Sequence, residues 1–248
     1  MSDLPEPIPA ATLILMRPAV SGPPEILMIE RTATMVFAAG ALVFPGGRID
    51  AEDHASAAQL GAGFADASAR IAAIRETIEE AGVAAALRPS AGAAAVREGL
   101  AAGESFADLL GRHGLALDLS ALTPFARWCP TFRETRRFDA LFFLAEAPEG
   151  ATAEAHPGEA VRAFWTTAEQ ALEEHDAGRA HLIFPTRRNL ERLALFGSID
   201  EARADAVRHP VQTITPWIEQ REGRDWLCIP EDAGYPVSAE PMDTVRRG

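Results

Sequence analysis

The sequence predicts an α+β chain, of the α/β class in the broad sense, built as a single domain on a mixed sheet with helical additions. Three observations carry this prediction. The length of 248 residues lies between one and two typical domains of roughly 150 residues. The apolar share of 48% is that of an ordinary globular protein, which excludes wholesale disorder. Short apolar strands and periodic helices are interspersed without the regular alternation that a doubly wound sheet needs. No repeat of fixed period is present.

Each element has a local reason. Ala11 to Met16 is short, apolar and bounded by prolines, as a buried strand should be. Ser21-Gly-Pro-Pro24 is a turn, and Glu25 to Ile29 completes a hairpin with the first strand. Gly40 to Phe44 is a strand that stops at Pro45-Gly-Gly47, where proline removes a ladder donor and the glycines let the chain turn. Asp66 to Ala81 is the clearest helix, and Gly82 stands where a C-cap glycine would end it. Ala-rich helices are expected over about 92–101 and 104–112, within an insertion at 84–114. Strands are expected at Leu119–Trp128, Arg137–Ala145 and Val161–Trp165. Helices are expected at about 167–177, 186–196 and 199–208. A last strand pair, Ile214–Ile218 with Trp226–Ile229, closes the chain, with residues 186–248 read as a C-terminal extension.

Composition excludes several function classes. The 23 Lys and Arg against 36 Asp and Glu leave a net charge of −13, which repels nucleic acid and anionic lipid. Phosphorylated small molecules stay open, because a divalent cation reverses the local sign of charge. Two cysteines, Cys129 and Cys228, build neither a disulfide framework nor a zinc site. The amino-terminal residues lack a secretory pattern, and the first apolar run is too short to span a bilayer. The expectation is a cytoplasmic protein with no nucleic-acid or membrane partner. Neither a phosphate-binding P-loop, a Gly-x-Ser-x-Gly elbow nor a His-Glu-x-x-His pair occurs. Gly61-Ala-Gly63 is only a fragment of a dinucleotide fingerprint and reads as a loop.

The informative segment is Ala73-Ile-Arg-Glu-Thr-Ile-Glu-Glu-Ala-Gly-Val83. On a helix, Glu76, Glu79 and Glu80 stand at i, i+3 and i+4 and project from one face. Their mutual repulsion grows if the face is buried, and a hard cation with oxygen ligands relieves it. An exposed acidic stretch would show the same pattern; what shifts the balance is Phe44-Pro-Gly-Gly47 shortly before it.

Together these motifs resemble the signature of the Nudix hydrolases: Gly, five residues, Glu, seven residues, then Arg-Glu-U-x-Glu-Glu-x-Gly-U, with U aliphatic. Gly47 matches the opening, and Arg75, Glu76, Glu79, Glu80, Gly82 and Val83 match the close. Thr77 replaces an aliphatic residue. Gly47 and Arg75 stand 28 positions apart where the pattern has 14. The first acidic position falls to Glu52, Asp53 or Asp66, or to none of them. Upstream, Leu27-Met-Ile-Glu-Arg31-Thr and Gly40 to Gly47 with Asp50 are similar to the extended signature of the coenzyme A and acyl-CoA diphosphatase branch, with Met35, Val36 and Phe37 departing from it. Arg136-Arg-Phe-Asp139, Phe184-Pro-Thr-Arg187 and Trp226 to Pro230 extend the likeness.

The resemblance implies an α/β/α sandwich spanning 1–248 and metal-dependent hydrolysis of a nucleoside diphosphate linked to another group, CoA or acyl-CoA first. Other nucleotides (a nucleotide sugar, NADH, a dinucleoside polyphosphate) and a non-catalytic nucleotide-binding module are the alternatives. It implies Mg²⁺ or Mn²⁺ held by Glu76, Glu79 and Glu80, with a carbonyl of Gly46 and a loop acid, Glu159. It gives Glu76 and Glu79 catalytic roles, oriented by Arg75. Arg31, Gly47, Arg136 and Arg137 are the expected substrate contacts, with Phe132, Arg133 and Phe138 in the same basic-aromatic cluster. The partner is a small nucleotide, and a homodimer fits the resemblance.

Overall fold

A computed structural model describes residues 5–33, 38–60, 63–131 and 137–245. The chain opens with strands β1 (Ile8–Arg17), β2 (Glu25–Arg31), β3 (Ala41–Val43) and β4 (Gly46–Arg48). Helices α1 (Ala51–Gln59) and α2 (Ala67–Ala81) follow. The segment after α2 holds β5 (Leu87–Arg88), α3 (Ala93–Ala101), α4 (Phe106–His113) and β6 (Ala116–Leu117). Then come β7 (Thr123–Trp128), β8 (Phe138–Glu146), β9 (Ala160–Thr167), α5 (Ala168–Asp176), β10 (His181–Leu182), α6 (Phe184–Leu193) and α7 (Ile199–Arg208). The chain ends with β11 (Thr213–Ile214), β12 (Trp217–Arg221), β13 (Arg224–Cys228) and β14 (Ala239–Pro241).

The main sheet runs β10-β3-β2-β1-β8-β7-β11, with β4 paired to β1 and β9 to β2. It is mixed: β1 lies parallel to β8 from Ile8↔Phe138 to Met16↔Glu146, and antiparallel to β2 and β4. The continuous apolar run of β1 has a direct reason. Side chains alternate between faces, and both faces are covered. Leu13 and Leu15 join one core with α2, α3 and α4, while Ile14 and Met16 join another with α5, α6 and α7. The result is a helix–sheet–helix sandwich.

Helix α2 is packed almost all round, since Ile71, Ile74 and Ile78 meet the sheet while α1 and α3 flank it. Thr77 is fully buried, and its hydroxyl donates to the Ala73 carbonyl at 2.7 Å. A local bond thus satisfies its polar atom and lets it stand where an aliphatic side chain is usual. Gly82 adopts φ +69° and its N–H bonds Ile78 O, the C-cap expected from its position.

The structure departs from the sequence expectations in several places, among them the short strands β4, β5, β6, β10 and β14. Residues 51–59 form a helix that no periodicity announces. Leu119–Ala121 is a 3₁₀ turn, so the strand starts later, at Thr123. The expected strand 214–218 is broken by Pro216, which donates no backbone hydrogen bond. Ile214 pairs with Trp128 in the main sheet, whereas Trp217 begins a hairpin with β13 around Glu222 (φ +51°) and Gly223 (φ +78°).

The C-terminal strands are tied to the main sheet by a buried chain of polar atoms. Trp128 Nε1 donates to Tyr235 Oη at 3.1 Å, and Tyr235 Oη donates to Asn189 Oδ1 at 2.7 Å. Tyr235→Phe leaves both partners buried and unmatched, and should lower unfolding free energy by about 1–3 kcal/mol. Urea denaturation reads this; an unchanged midpoint would show that Trp128 and Asn189 find other partners.

Candidate active site

The glycine bend sits at the edge of β1. Gly46 and Gly47 pair with Thr12 and Ala11, which brings their backbone against α2. The absence of a Cβ at Gly47 leaves room for the Glu76 carboxyl group, which a Cβ would meet. A Cβ on Gly46 would strike Ala11 O and Thr12. Gly46 thus lets β4 lie close against β1, and Gly47 admits the acidic helix face to within contact of backbone.

Arg75 organises that face. Its Nε and Nη2 donate to the two Asp53 carboxylate oxygens, both at 3.0 Å. Nη2 also donates to Arg48 O at 3.2 Å, and Nη1 donates to Glu76 Oε1 at 2.9 Å and Glu79 Oε2 at 3.1 Å. One guanidinium thus joins β4, α1 and two carboxylates of its own helix. Burial opposes its charge, but the Asp53 hydrogen bond and the fields of Glu76, Asp53 and Glu79 outweigh it and hold its pKa above the ordinary arginine value.

Of the three candidates for the first acidic position, Asp53 is the one paired with Arg75. It is 1% exposed, and besides Arg75 it accepts the backbone N–H of Asp50 at 2.9 Å. Glu52 is exposed, and Asp66 pairs with Arg70 instead. The residues in excess of the signature spacing lie between Asp53 and Arg75, folded into the rest of α1 and the turn before α2.

Glu80 is held separately. The N–H of Gly46, the group that makes contact there, donates to Glu80 Oε2 at 2.9 Å. Arg31 Nη1 stands 3.7 Å from Glu80 Oε1, and the buried Arg31 Nε has no hydrogen-bond partner. Glu159 is exposed on the loop before β9, within electrostatic reach of Glu79 and Glu80. That loop is anchored by His156 N to Glu80 O at 3.0 Å and Glu154 N to Ala81 O at 2.9 Å. Arg137 holds Pro130 O at 3.0 Å and Cys129 Sγ at 3.2 Å, and Phe138 lies beside it at the start of β8. Arg136, Arg133 and Phe132 lie outside the described residues, as do Met35, Val36, Phe37 and Gly61. A cavity of about 440 Å³ between α5, α6 and β14 shares no residue with this cluster.

The electrostatics are unbalanced. Burial, reinforced by Glu80 and Glu79 against the pull of Arg75, pushes the Glu76 carboxyl up to about 8. Burial pushes Glu80 up to about 7, although Gly46 and Arg31 favour its charge. Glu79 is raised as well, again by burial first. Among the described residues no group of three or more His, Cys, Asp or Glu side chains closes into a ready metal cage. Oxygen donors short of positive charge, open on one side, suit a hydrated hard cation bound by few carboxylates rather than an all-protein cage. The residues present therefore fit Mg²⁺ or Mn²⁺.

These residues form a candidate active site on an α/β/α sandwich. No family model matches the chain. Among solved structures it is similar to a Nudix hydrolase from Alicyclobacillus acidocaldarius, with a TM-score of 0.72 and 29% identity over 80% of this chain and 96% of that one. The Nudix domain of Shewanella oneidensis NrtR, solved with ADP ribose, matches at TM-score 0.47 and 12% identity over 77% and 88% of the two chains. A MutT protein from Methanosarcina mazei Go1 matches at 0.43 and 16% over 78% and 97%. The chain thus shares its fold with the Nudix hydrolase from Alicyclobacillus acidocaldarius.

Two predictions follow from the charge balance. Asp53→Asn weakens a buried ion pair and should destabilise the fold by about 3–5 kcal/mol, measured by chemical denaturation. Glu76 binds its proton in the fold up to about pH 8 but releases it near 4.5 when unfolded. The folded state therefore holds more protons across that window, and metal-free stability falls as pH rises through it. Melting in EDTA at pH 5 and pH 8 should show this fall, Mg²⁺ should stabilise more at pH 8, and Glu76→Gln should flatten both slopes.

Proposed function

We propose that this chain hydrolyses the pyrophosphate of a nucleoside diphosphate linked to another group, with CoA or acyl-CoA as substrate. The observation that supports it is the set of buried, charge-starved carboxylates gathered by Arg75 against the Gly46-Gly47 bend. The choice of CoA rests on the resemblance running from Leu27 to Asp50.

Glu76, Glu79 and Glu80 would hold a divalent ion, with Glu159 joining from its loop and Gly46 fixing the orientation of Glu80. A bound divalent ion supplies charge neutralisation on the non-bridging phosphate oxygens and lowers the pKa of water. The chain's own residues do the rest. Arg75 fixes the rotamers of Glu76 and Glu79, so both carboxylates are held in place without reorganisation. Glu76 would be a further ligand or the base that accepts a proton from the attacking water. Arg31 Nε has a free donor for a phosphate oxygen, and Gly47 gives the substrate close access to backbone. Arg137 is held by Pro130 O and Cys129 Sγ, and Arg136 and Arg133, outside the described residues, are the basic side chains suited to a 3′-phosphate.

The reaction is a water attack on one phosphorus, with the bridging oxygen leaving on the other. With CoA the products are adenosine 3′,5′-bisphosphate and phosphopantetheine. We read the chain as one Nudix domain over 1–248, with 84–114 and 186–248 as additions whose helices complete the two cores. No helix among the described residues is long and apolar enough to cross a membrane. The two free, buried thiols suit a cytoplasmic setting.

A substrate panel with Mg²⁺ and with EDTA tests this. Metal-dependent release of adenosine 3′,5′-bisphosphate from CoA supports the proposal. Cleavage confined to a nucleotide sugar, NADH or a dinucleoside polyphosphate would reassign the substrate, and binding without turnover would make it a sensor. Glu80→Gln should lower kcat about 10²–10³-fold with the fold intact, as expected for losing a preorganised electrostatic group. Gly47→Ala should displace the Glu76 carboxylate and depress kcat more than it raises KM.

A further inference from the structure

The segment between α2 and β7 reaches the candidate site through one side chain. Its helix α3 lies against α2 and is seated by Val96, which is fully buried in the core. The next residue, Arg97, extends to the C-terminal end of α2. Its Nε donates to Glu79 O at 3.2 Å, and its Nη2 donates to Glu154 O at 2.9 Å. One planar group therefore holds a carbonyl of the acidic helix and a carbonyl of the loop before β9. Gly82 leaves it room, since a Cβ there would stand 3.0 Å from Arg97 Nη1. The ion pair of Arg97 with Glu154 Oε2, at 3.6 Å, adds little, because the Glu154 side chain is 86% exposed. The brace is the pair of carbonyl bonds, and a planar fork is what spans two such acceptors.

The last carbonyls of a helix have no partner within it. At the end of α2, Glu79 O goes to Arg97, Glu80 O to the His156 N–H at 3.0 Å, and Ala81 O to the Glu154 N–H at 2.9 Å. These bonds dock the loop on the backbone of the same two residues, Glu79 and Glu80, whose carboxylates belong to the acidic face. The loop then runs from His156 to Glu159, and its far end is tied by the Thr32 N–H to Glu159 O at 3.0 Å. Glu159 lies close enough for its charge to act on both Glu79 and Glu80. The backbone bonds join loop to helix directly, whereas Arg97 braces that joint from a third element. We propose that Arg97 is a positioning residue for the divalent ion: by bridging Glu79 O and Glu154 O, it fixes the loop so that Glu159 stands beside Glu79 and Glu80. The inference rests on the metal-binding role proposed above for those carboxylates. Arg97 touches no reacting group and acts through backbone. Groups that orient ligands in this way change metal affinity by about 10–100-fold.

Binding of Mn²⁺ alone, followed by the paramagnetic resonance signal of the free ion without substrate, tests this in a double-mutant cycle. Arg97→Ala and Glu159→Gln should each weaken Mn²⁺ binding about tenfold. The double variant should match Glu159→Gln within about twofold, because Arg97 acts through that acid. A merely structural role would add its loss in both backgrounds. Amide exchange in EDTA reads the brace without metal. In Arg97→Ala the Glu154 and His156 amides should lose protection at least about tenfold, while the Ile74 amide within α2 keeps its own. If Arg97→Ala does not fold, Arg97→Lys, which keeps the charge but not the fork, replaces it in both measurements with the same direction expected. Additive losses overturn the inference. So does wild-type Mn²⁺ affinity in either single variant, or unchanged exchange at Glu154 and His156. In those cases Glu80→Gln still weakens Mn²⁺ binding if the proposed function holds. A Glu80→Gln chain that binds Mn²⁺ like the wild type removes the metal site itself, and the inference with it.

Discussion

The fork between Arg75 and Asp53 is the contact on which the site depends. Two parallel hydrogen bonds of 3.0 Å fix the guanidinium in a place where neither charge can be left alone, since Asp53 is 1% exposed. With that end fixed, the remaining nitrogen aims at Glu76 and Glu79, and their carboxylates are held before any substrate arrives. Arg75 also grips the carbonyl of Arg48, so the glycine bend cannot drift from the helix. A lysine could not do this, since a point charge on a flexible stem offers no planar fork.

Charge elsewhere in the interior is matched more fully. Arg70 reaches Asp66 and the carbonyls of Leu119 and Leu122, and Arg192 reaches Asp205 and the carbonyl of Phe125. Both stack on aromatic rings, Arg70 on Phe143 and Arg192 on Phe125. These are pins between layers. At the glycine bend the balance reverses: Arg75 and Arg31 face Asp53, Glu76, Glu79, Glu80 and Glu159. Buried carboxylates in excess of cations destabilise a fold unless something outside the chain restores the charge. Such a cost, beside two glycines whose Cβ positions are taken by Glu76, Ala11 and Thr12, is what a functional site placed here would explain.

Much of this was legible in the residues. Helix α2, its glycine cap and the common face of Glu76, Glu79 and Glu80 follow from helical period and from the αL tolerance of Gly82. Strands β1 and β8 declare themselves as apolar runs because both of their faces are covered. The hairpin β12–β13 was legible only in part: the expected strand 214–218 runs across Pro216, which divides β11 from β12. Helix α1 was not legible: Ala51 to Gln59 buries only Asp53 and Ser56, so its sequence carries no apolar stripe. Asp53 remained one of three alternatives for the same reason. Its importance comes from a partner 22 positions away, and no local period reports such a contact. The signal was spacing alone: Asp53 stands at the signature distance from Gly47, and the excess residues all follow it.

That placement explains how the signature tolerates so long an interruption. Lengthening the connection between the acidic residue and the arginine from the pattern's eight positions to 22 adds about 1 kcal/mol of loop-closure entropy, since the cost grows only with the logarithm of length. Leaving the buried pair unmade would cost about 3–5 kcal/mol. The pair therefore holds the two ends together whatever the chain does between them. Part of the added entropy is recovered because the inserted residues fold into α1 and lie against α2 rather than remaining a coil. The constraint acts on the two charged residues and the glycine they flank, and the chain between is free to lengthen as far as the surface beside α2 can receive it.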